Sequence, residues 1–191
     1  MTTDIRAAIA AERTDLIELL ADLPEHHWDS PSLCAGWRVR EVVAHITMAY
    51  RYPLPRFLFH LARSGGNFTR MSDNRAKADA ASLSTKDLLA SLRDNVNHPW
   101  KPPGDGYEGA LSHDVVHGLD ITVALGVDRK VPLDRLRAVL GGMTGKKAKY
   151  FGVDLDGVQL RATDLDWTLG SGTPRSAPAQ DLLLFVCGRE I

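Results

Sequence analysis

The stretch "SHDVVHGLDI", residues 112–121, sets His113 and His117 four positions apart. On a helix that spacing puts both on one face, with Cβ atoms about 5–6 Å apart, so the two imidazoles could share one metal ion. A catalytic zinc usually takes three protein ligands, with histidine nitrogen at about 2.0–2.1 Å, and keeps a fourth position open. The third ligand must come from another helix. His45 is the candidate, because the stripe Val42, His45, Ile46, Ala49 faces the interior of a helical bundle. His113 and His117 share their own face with Ala110, Ile121 and Ala124. Inward residues of this kind, on facing helices of an antiparallel bundle, are the ones that build metal sites. The remaining histidines suit the role less well: His26 and His27 lie in a loop, His60 follows two prolines, and His98 ends a helix. Spacing alone leaves a second reading open, in which the three histidines are hydrogen-bonded core residues with no metal.

The elements that must hold these residues follow from apolar periodicity and breakers. Ile5, Ile9, Leu16, Leu19 and Leu20 mark a first helix from about residue 3 to 22, stopped near Pro24. The loop "PEHHWDSPSLCAG" follows, and a second helix runs from Trp37 to the Pro53/Pro55 pair, which ends or kinks it before "RFLFHLAR". "SGGNFTRMSDN", within 64–74, reads as a flexible or specially shaped connection. Ser84 and Asp87 resemble a capping box opening a third helix that stops near His98. A fourth helix, from about Tyr107 to Leu125 and closed by Gly126, carries His113 and His117. A fifth starts at Pro132 and reaches roughly Lys149 across the weak stretch "GGMTG". Beyond residue 150, "GVQLRATDLDWTLGSG" reads as a short β-hairpin and "SAPAQDLLLFVCG" as a closing helix. The expected fold is mainly α, an antiparallel four-helix bundle over 1–150 with a small C-terminal α+β segment, 151–191, packed on it.

The 191 residues suit one cooperative unit with a sizeable core. Lys+Arg total 23 against Asp+Glu 24, so no basic field exists to attract a phosphate backbone, and nucleic acid is excluded as a partner. No apolar run of about 18 residues occurs, which argues against a membrane span. The acid-bearing N-terminus is unlike a signal or transit peptide, so a cytoplasmic location is expected. Cys34 and Cys187 are expected to be reduced thiols. Cys34 reads as a small buried hydrophobe rather than a fourth ligand or nucleophile, and Trp28, Trp37, Trp100 and Trp167 as packing anchors. Tyr107, at the start of the ligand-bearing helix, is a candidate to line a substrate pocket.

"WDSPSLCAGWRVREVVAHI" (28–46) together with "HDVVHGLDI" (113–121) resembles the mycothiol-dependent maleylpyruvate isomerase family, within the wider DinB-like group of metal-binding four-helix bundles. The tail "RATDLDWTLGSG", followed by "DLLLFVCGRE", resembles the C-terminal segment of that family. The resemblance implies metal ligands at His45, His113 and His117. It also implies a divalent metal, zinc by its donor set, and mycothiol as cosubstrate. Two departures stand out. The isomerase type has glutamate where this chain has His113, which makes the site neutral and its metal a stronger Lewis acid. Arg38 stands where a Thr or Ser cap is common, implying a slightly weaker helix start. Asp120 matches the family pattern; it could orient a ligand histidine, but a local salt bridge or backbone hydrogen bond is the favoured role. Asp114 lies about 100° around the helix from His113 and is expected to be solvated.

The resemblance thus points to a metal-dependent enzyme using a low-molecular-weight thiol as nucleophile, either a cis-trans isomerase or a thiol S-transferase, acting on a small-molecule electrophile. The family's isomerase uses an arginine from its C-terminal part, for which Arg189 is the closest counterpart here, with Arg161 and Arg175 also available. A homodimer is compatible with this reading. Two alternatives are a non-catalytic metal- or small-ligand-binding bundle and a zinc-assisted hydrolase, the latter needing a general base that only Asp120 could supply.

Overall fold

The computed structural model describes residues 4–190. Asp4 caps the first helix, α1 (Ile5–Ala21), by accepting hydrogen bonds from the backbone of Arg6 and Ala7. A 3-10 turn (Glu25–Asp29) leads to α2 (Val39–Arg51). Glu41 repairs the start that Arg38 was expected to weaken: its carboxylate accepts from the Arg38 backbone N–H at 2.8 Å and from the Arg38 guanidinium at 2.6 Å. After Tyr52 and Pro53 come α3 (Leu54–Arg63), α4 (Phe68–Ser82) and α5 (Thr85–Arg93). The capping box of Ser84 and Asp87 is present at the start of α5.

The helix α4 is a correction to the expected connection over 64–74. Only residues 64–67 connect; Asn67 then caps a helix by accepting from the Arg70 N–H at 2.9 Å. Its inner face is Met71, Ser72, Ala76, Asp79 and Ala80, too small and too polar to register as an apolar stripe.

The ligand-bearing helix is α6 (Gly106–Thr122), three residues shorter at its C-terminus than expected, with Gly126 at φ 68° closing the turn that follows. Helices α1, α6, α2 and α5 form a closed ring in which each touches the next, and α4 lies against α2. Gly118 of α6 leaves room for the Arg129 side chain, whose Nη1 a Cβ would meet at 2.5 Å. Arg129 and Arg135 converge there on Glu12 of α1, at 2.5 and 2.8 Å.

The expected fifth helix is two: α7 (Leu133–Gly141) and α8 (Gly145–Tyr150). Gly142 to Thr144 interrupt it, and the Thr144 side chain caps α8. The tail holds the expected hairpin, β1 (Val158–Ala162) antiparallel to β2 (Thr168–Gly170). A third strand, β3 (Thr173–Ala177), was not expected; it pairs parallel with β1 on the other side, giving the order β2-β1-β3. The closing helix is α9 (Ala179–Val186). Leu160, Leu183 and Leu184 of this tail share one core cluster with Leu111, Leu119 and Leu140. Among the described residues, no helix is long and apolar enough to cross a membrane.

Candidate metal centre

His45 of α2 and His113 and His117 of α6 come together as a triangle of imidazoles. Their ring centroids are 5.0, 4.9 and 4.7 Å apart, and one nitrogen from each lies within 4.8 Å of the others. The Nε2 atoms of His45 and His113 are 3.1 Å apart. Two ligand nitrogens of a tetrahedral zinc at about 2.0–2.1 Å sit roughly 3.3 Å from one another, so this pair is already near coordination spacing.

Each histidine is held by its other nitrogen. His45 Nδ1 hydrogen-bonds Ser72 Oγ at 2.9 Å, His113 Nδ1 bonds Asp114 Oδ1 at 3.0 Å, and His117 Nδ1 bonds Asp120 Oδ2 at 2.9 Å. A carboxylate can only accept, so the two α6 histidines carry their proton on Nδ1 and leave the Nε2 lone pair free. Burial holds His45 well below the ordinary histidine pKa, reinforced by the neighbouring His117 and His113. Burial also lowers His117, against the opposing bond to Asp120. Neutral imidazoles with free lone pairs are the form that ligates a metal. The residues present therefore fit a divalent cation.

The acids behind the histidines are themselves neutralised. Asp114 is buried, a correction to the solvated position expected for it, and Arg13 Nε donates to it at 2.8 Å. Burial opposes its ionisation, but His113 and Arg13 outweigh that and hold it below the usual carboxylate range. Asp120 is fully buried, and Arg189 grips it with two bonds of 2.8 Å from Nε and Nη2. Its carboxyl is depressed because the bonds from Arg189 and His117 overcome the cost of burial. Asp120 thus accepts a hydrogen bond from His117 and forms a salt bridge with Arg189.

Cys34 Sγ donates to Asp120 at 3.0 Å and lies 3.8 Å from His117 Nδ1. Burial, then the Asp120 charge, push its thiol up to about 12, so it is a protonated donor and a poor nucleophile. Arg189 reaches the site, whereas Arg161 and Arg175 are exposed on the sheet. Tyr107 is not brought to the histidines: it lines a separate 340 Å³ hollow with Arg6, Arg13 and His98. Arg6 and Lys101 flank its ring at 5.6 and 5.0 Å. Trp100 and Trp37 do more than pack, stacking edgewise on His113 and tilted against His45, at 5.0 and 5.1 Å.

Three openings meet at the triangle. One is a 370 Å³ apolar cleft beside His45 and His113. A 290 Å³ hollow borders His113 and His117 on the side of Glu108, Lys147 and Arg189. A wider one of 540 Å³ borders His117, Trp37, Thr69, Asp73 and Tyr150. Ser72 and Arg13 have no place in the sequence analysis, where Asp114 is expected to be solvated. Arg13 carried the one usable signal, a cation on the α1 stripe of Ile9, Leu16, Ile17 and Leu20 that demands a buried acid.

Residues 9–98 match the family model described as the mycothiol maleylpyruvate isomerase N-terminal domain. That segment belongs to this domain family. The mycothiol maleylpyruvate isomerase N-terminal domain so matched includes His45 but ends before His113 and His117. The crystal structure of the mycothiol-dependent maleylpyruvate isomerase is similar over 98% of this chain and 89% of its own, with a TM-score of 0.59 and 14% identity. A histidine-to-alanine mutant of that enzyme gives a TM-score of 0.58 at the same identity and coverage. The shared architecture is thus that of the isomerase, mainly α. No curated protein sequence matches the chain.

Proposed function

We propose that the chain is a metal-dependent enzyme that uses a low-molecular-weight thiol such as mycothiol as nucleophile, as a cis-trans isomerase or a thiol S-transferase acting on a small electrophile. The observation that carries the reading is the convergence of three imidazoles, one buried and two partly buried, each fixed through Nδ1 by a separate partner. His45, His113 and His117 would hold a divalent cation, zinc by its donor set, which when bound supplies the Lewis acidity that keeps a coordinated thiol deprotonated near neutral pH.

The chain's own residues prepare that chemistry. Ser72, Asp114 and Asp120 fix ring orientation and tautomer, so that no reorganisation is needed as charge develops. Arg13 and Arg189 neutralise the two acids and keep them from drawing a proton off the incoming thiol. Cys34 stays protonated and does not compete as a nucleophile. In the isomerase form the thiol adds to a conjugated double bond, the resulting single bond rotates, and the thiol leaves unchanged. In the transferase form it remains attached. Hydrolysis is the weaker reading: Asp120 is fully engaged by Arg189, His117 and Cys34 and is not free to take a proton from water.

Elemental analysis of untagged protein should find about one divalent ion per chain, and His117→Ala should lose it. Mycothiol should then be consumed with an electrophile only by the loaded wild type. Equal, near-zero metal in both proteins would sink the proposal.

A further inference from the structure

The electrophile itself is legible in the cleft beside His45 and His113. Its walls come from four segments: Met48, Ala49 and Tyr52 from α2 and its end, Leu54 and Phe57 from α3, Phe68 from α4, and Trp100 from the loop before α6. At 370 Å³ it exceeds the roughly 150 Å³ that admits a benzene ring, and it falls within the usual range for small-ligand pockets. Leu54 and Phe68 at its rim are 68% and 50% exposed, a cost in water that a covering apolar ligand would remove.

Charge is what the cleft lacks. Lys101 is the one cationic chain among its lining residues, and it is exposed, with its ammonium placed over the ring of Tyr107, a residue of a different hollow. Elsewhere around the histidines the cations are engaged. Arg189 spends Nε and Nη2 on Asp120 and Nη1 on the Cys187 carbonyl, and Lys147 pairs with Asp105 at 2.8 Å. Arg56 lies over the Tyr52 ring at 4.3 Å but is itself exposed, so a carboxylate lodged against Met48, Phe57 and Trp100 would lose its hydration and gain no buried partner.

We infer that this cleft binds the body of an uncharged, aromatic or similarly flat apolar electrophile, presenting its reactive carbon to the His45 and His113 side of the centre. A dicarboxylate is not its ligand. The inference rests on the proposed reaction, and it separates this chain from the substrate named for its structural relative. For an aryl halide the step balances simply: the thiol sulfur forms a bond to the ring carbon, halide leaves, and the thiol proton passes to solvent.

The test is binding without turnover. Calorimetric titration of zinc-loaded protein with 2,4-dinitrotoluene, an uncharged ring that thiols do not displace, is compared with titration by maleate. We expect the neutral ring to bind at least about tenfold more tightly. Ala49→Phe, which fills the cleft, should weaken it about tenfold, and Leu54→Ala, a change at an exposed rim position that cannot threaten the core, should weaken it severalfold. Maleate binding as tightly as the ring, or ring binding indifferent to both variants, overturns the inference. Consumption of mycothiol is then followed with 1-chloro-2,4-dinitrobenzene. Variant-sensitive ring binding with no metal-dependent consumption removes the reaction and leaves the cleft assignment standing. Metal-dependent consumption with maleate binding preferred does the reverse.

Discussion

Asp120 serves His117, Arg189 and Cys34 at once, and each partner constrains the others. Because burial and this carboxylate push the Cys34 thiol up to about 12, alkylation by iodoacetamide near pH 8 should barely touch Cys34 in the folded protein. Asp120→Asn removes the negative neighbour, which lowers the thiol pKa, and each unit of lowering raises the thiolate fraction tenfold. Mass spectrometry of timed alkylations should therefore show Cys34 modified about tenfold faster or more in the variant; an unchanged rate would mean that burial alone sets its reactivity. At this scale the three histidines were legible because spacing and apolar faces marked them. Their holders were not. Ser72 sits on a helix with no apolar signature, and Asp114 was placed by helical angle alone, which neglects that a buried Arg13 draws the carboxylate inward.

Helix α6 carries two of the three histidines, and α1 holds it through the Arg13–Asp114 pair, in which both side chains are 1% exposed. Arg13 also donates to the carbonyls of Val96 and His98 at 3.1 and 2.9 Å, so one guanidinium ties α1, α6 and the segment after α5. Removing one member of such a pair strands a buried charge. Arg13→Met should cost about 3–5 kcal/mol in urea unfolding. Adding Asp114→Leu should recover most of that loss while lowering zinc affinity about 10–100-fold, since His113 then lacks its acceptor. If the double variant is as unstable as the single one, the pair is not what joins these helices. Helix α2, with its strong apolar periodicity, and α1 and α6, rich in apolar residues, were readable from the chain. The break between α7 and α8 was hinted at by glycines, whereas α4 was hidden because it packs small and polar residues against α2.

For the whole molecule, the tail beyond residue 150 is bound to the bundle by a shared apolar core, by Arg189 on Asp120, and by hydrogen bonds of Trp167 to Leu140 and of Gln180 to Arg129 and Val131. Its hairpin and closing helix could be read from alternation and turn residues. Strand β3 could not, because "TPRSA" is a largely exposed edge containing proline, and its place depends on Gly172 passing against Gly157 closely enough to leave no room for a Cβ. Arg189→Met should leave Asp120 without its counter-charge and destabilise the metal-free protein by about 3 kcal/mol. The uncompensated carboxylate then favours a nearby cation, so zinc should raise the melting temperature of this variant by more than it raises that of wild type. A smaller shift would show that Arg189 supports the metal rather than offsetting its absence. The openings at the histidines bear on timing as well as on place. The apolar cleft reaches them beside His45 and His113, and the widest hollow beside His45 and His117, with only His45 and Phe68 common to both, so two reactants have separate ways in. For a two-substrate reaction this layout imposes no compulsory order of binding.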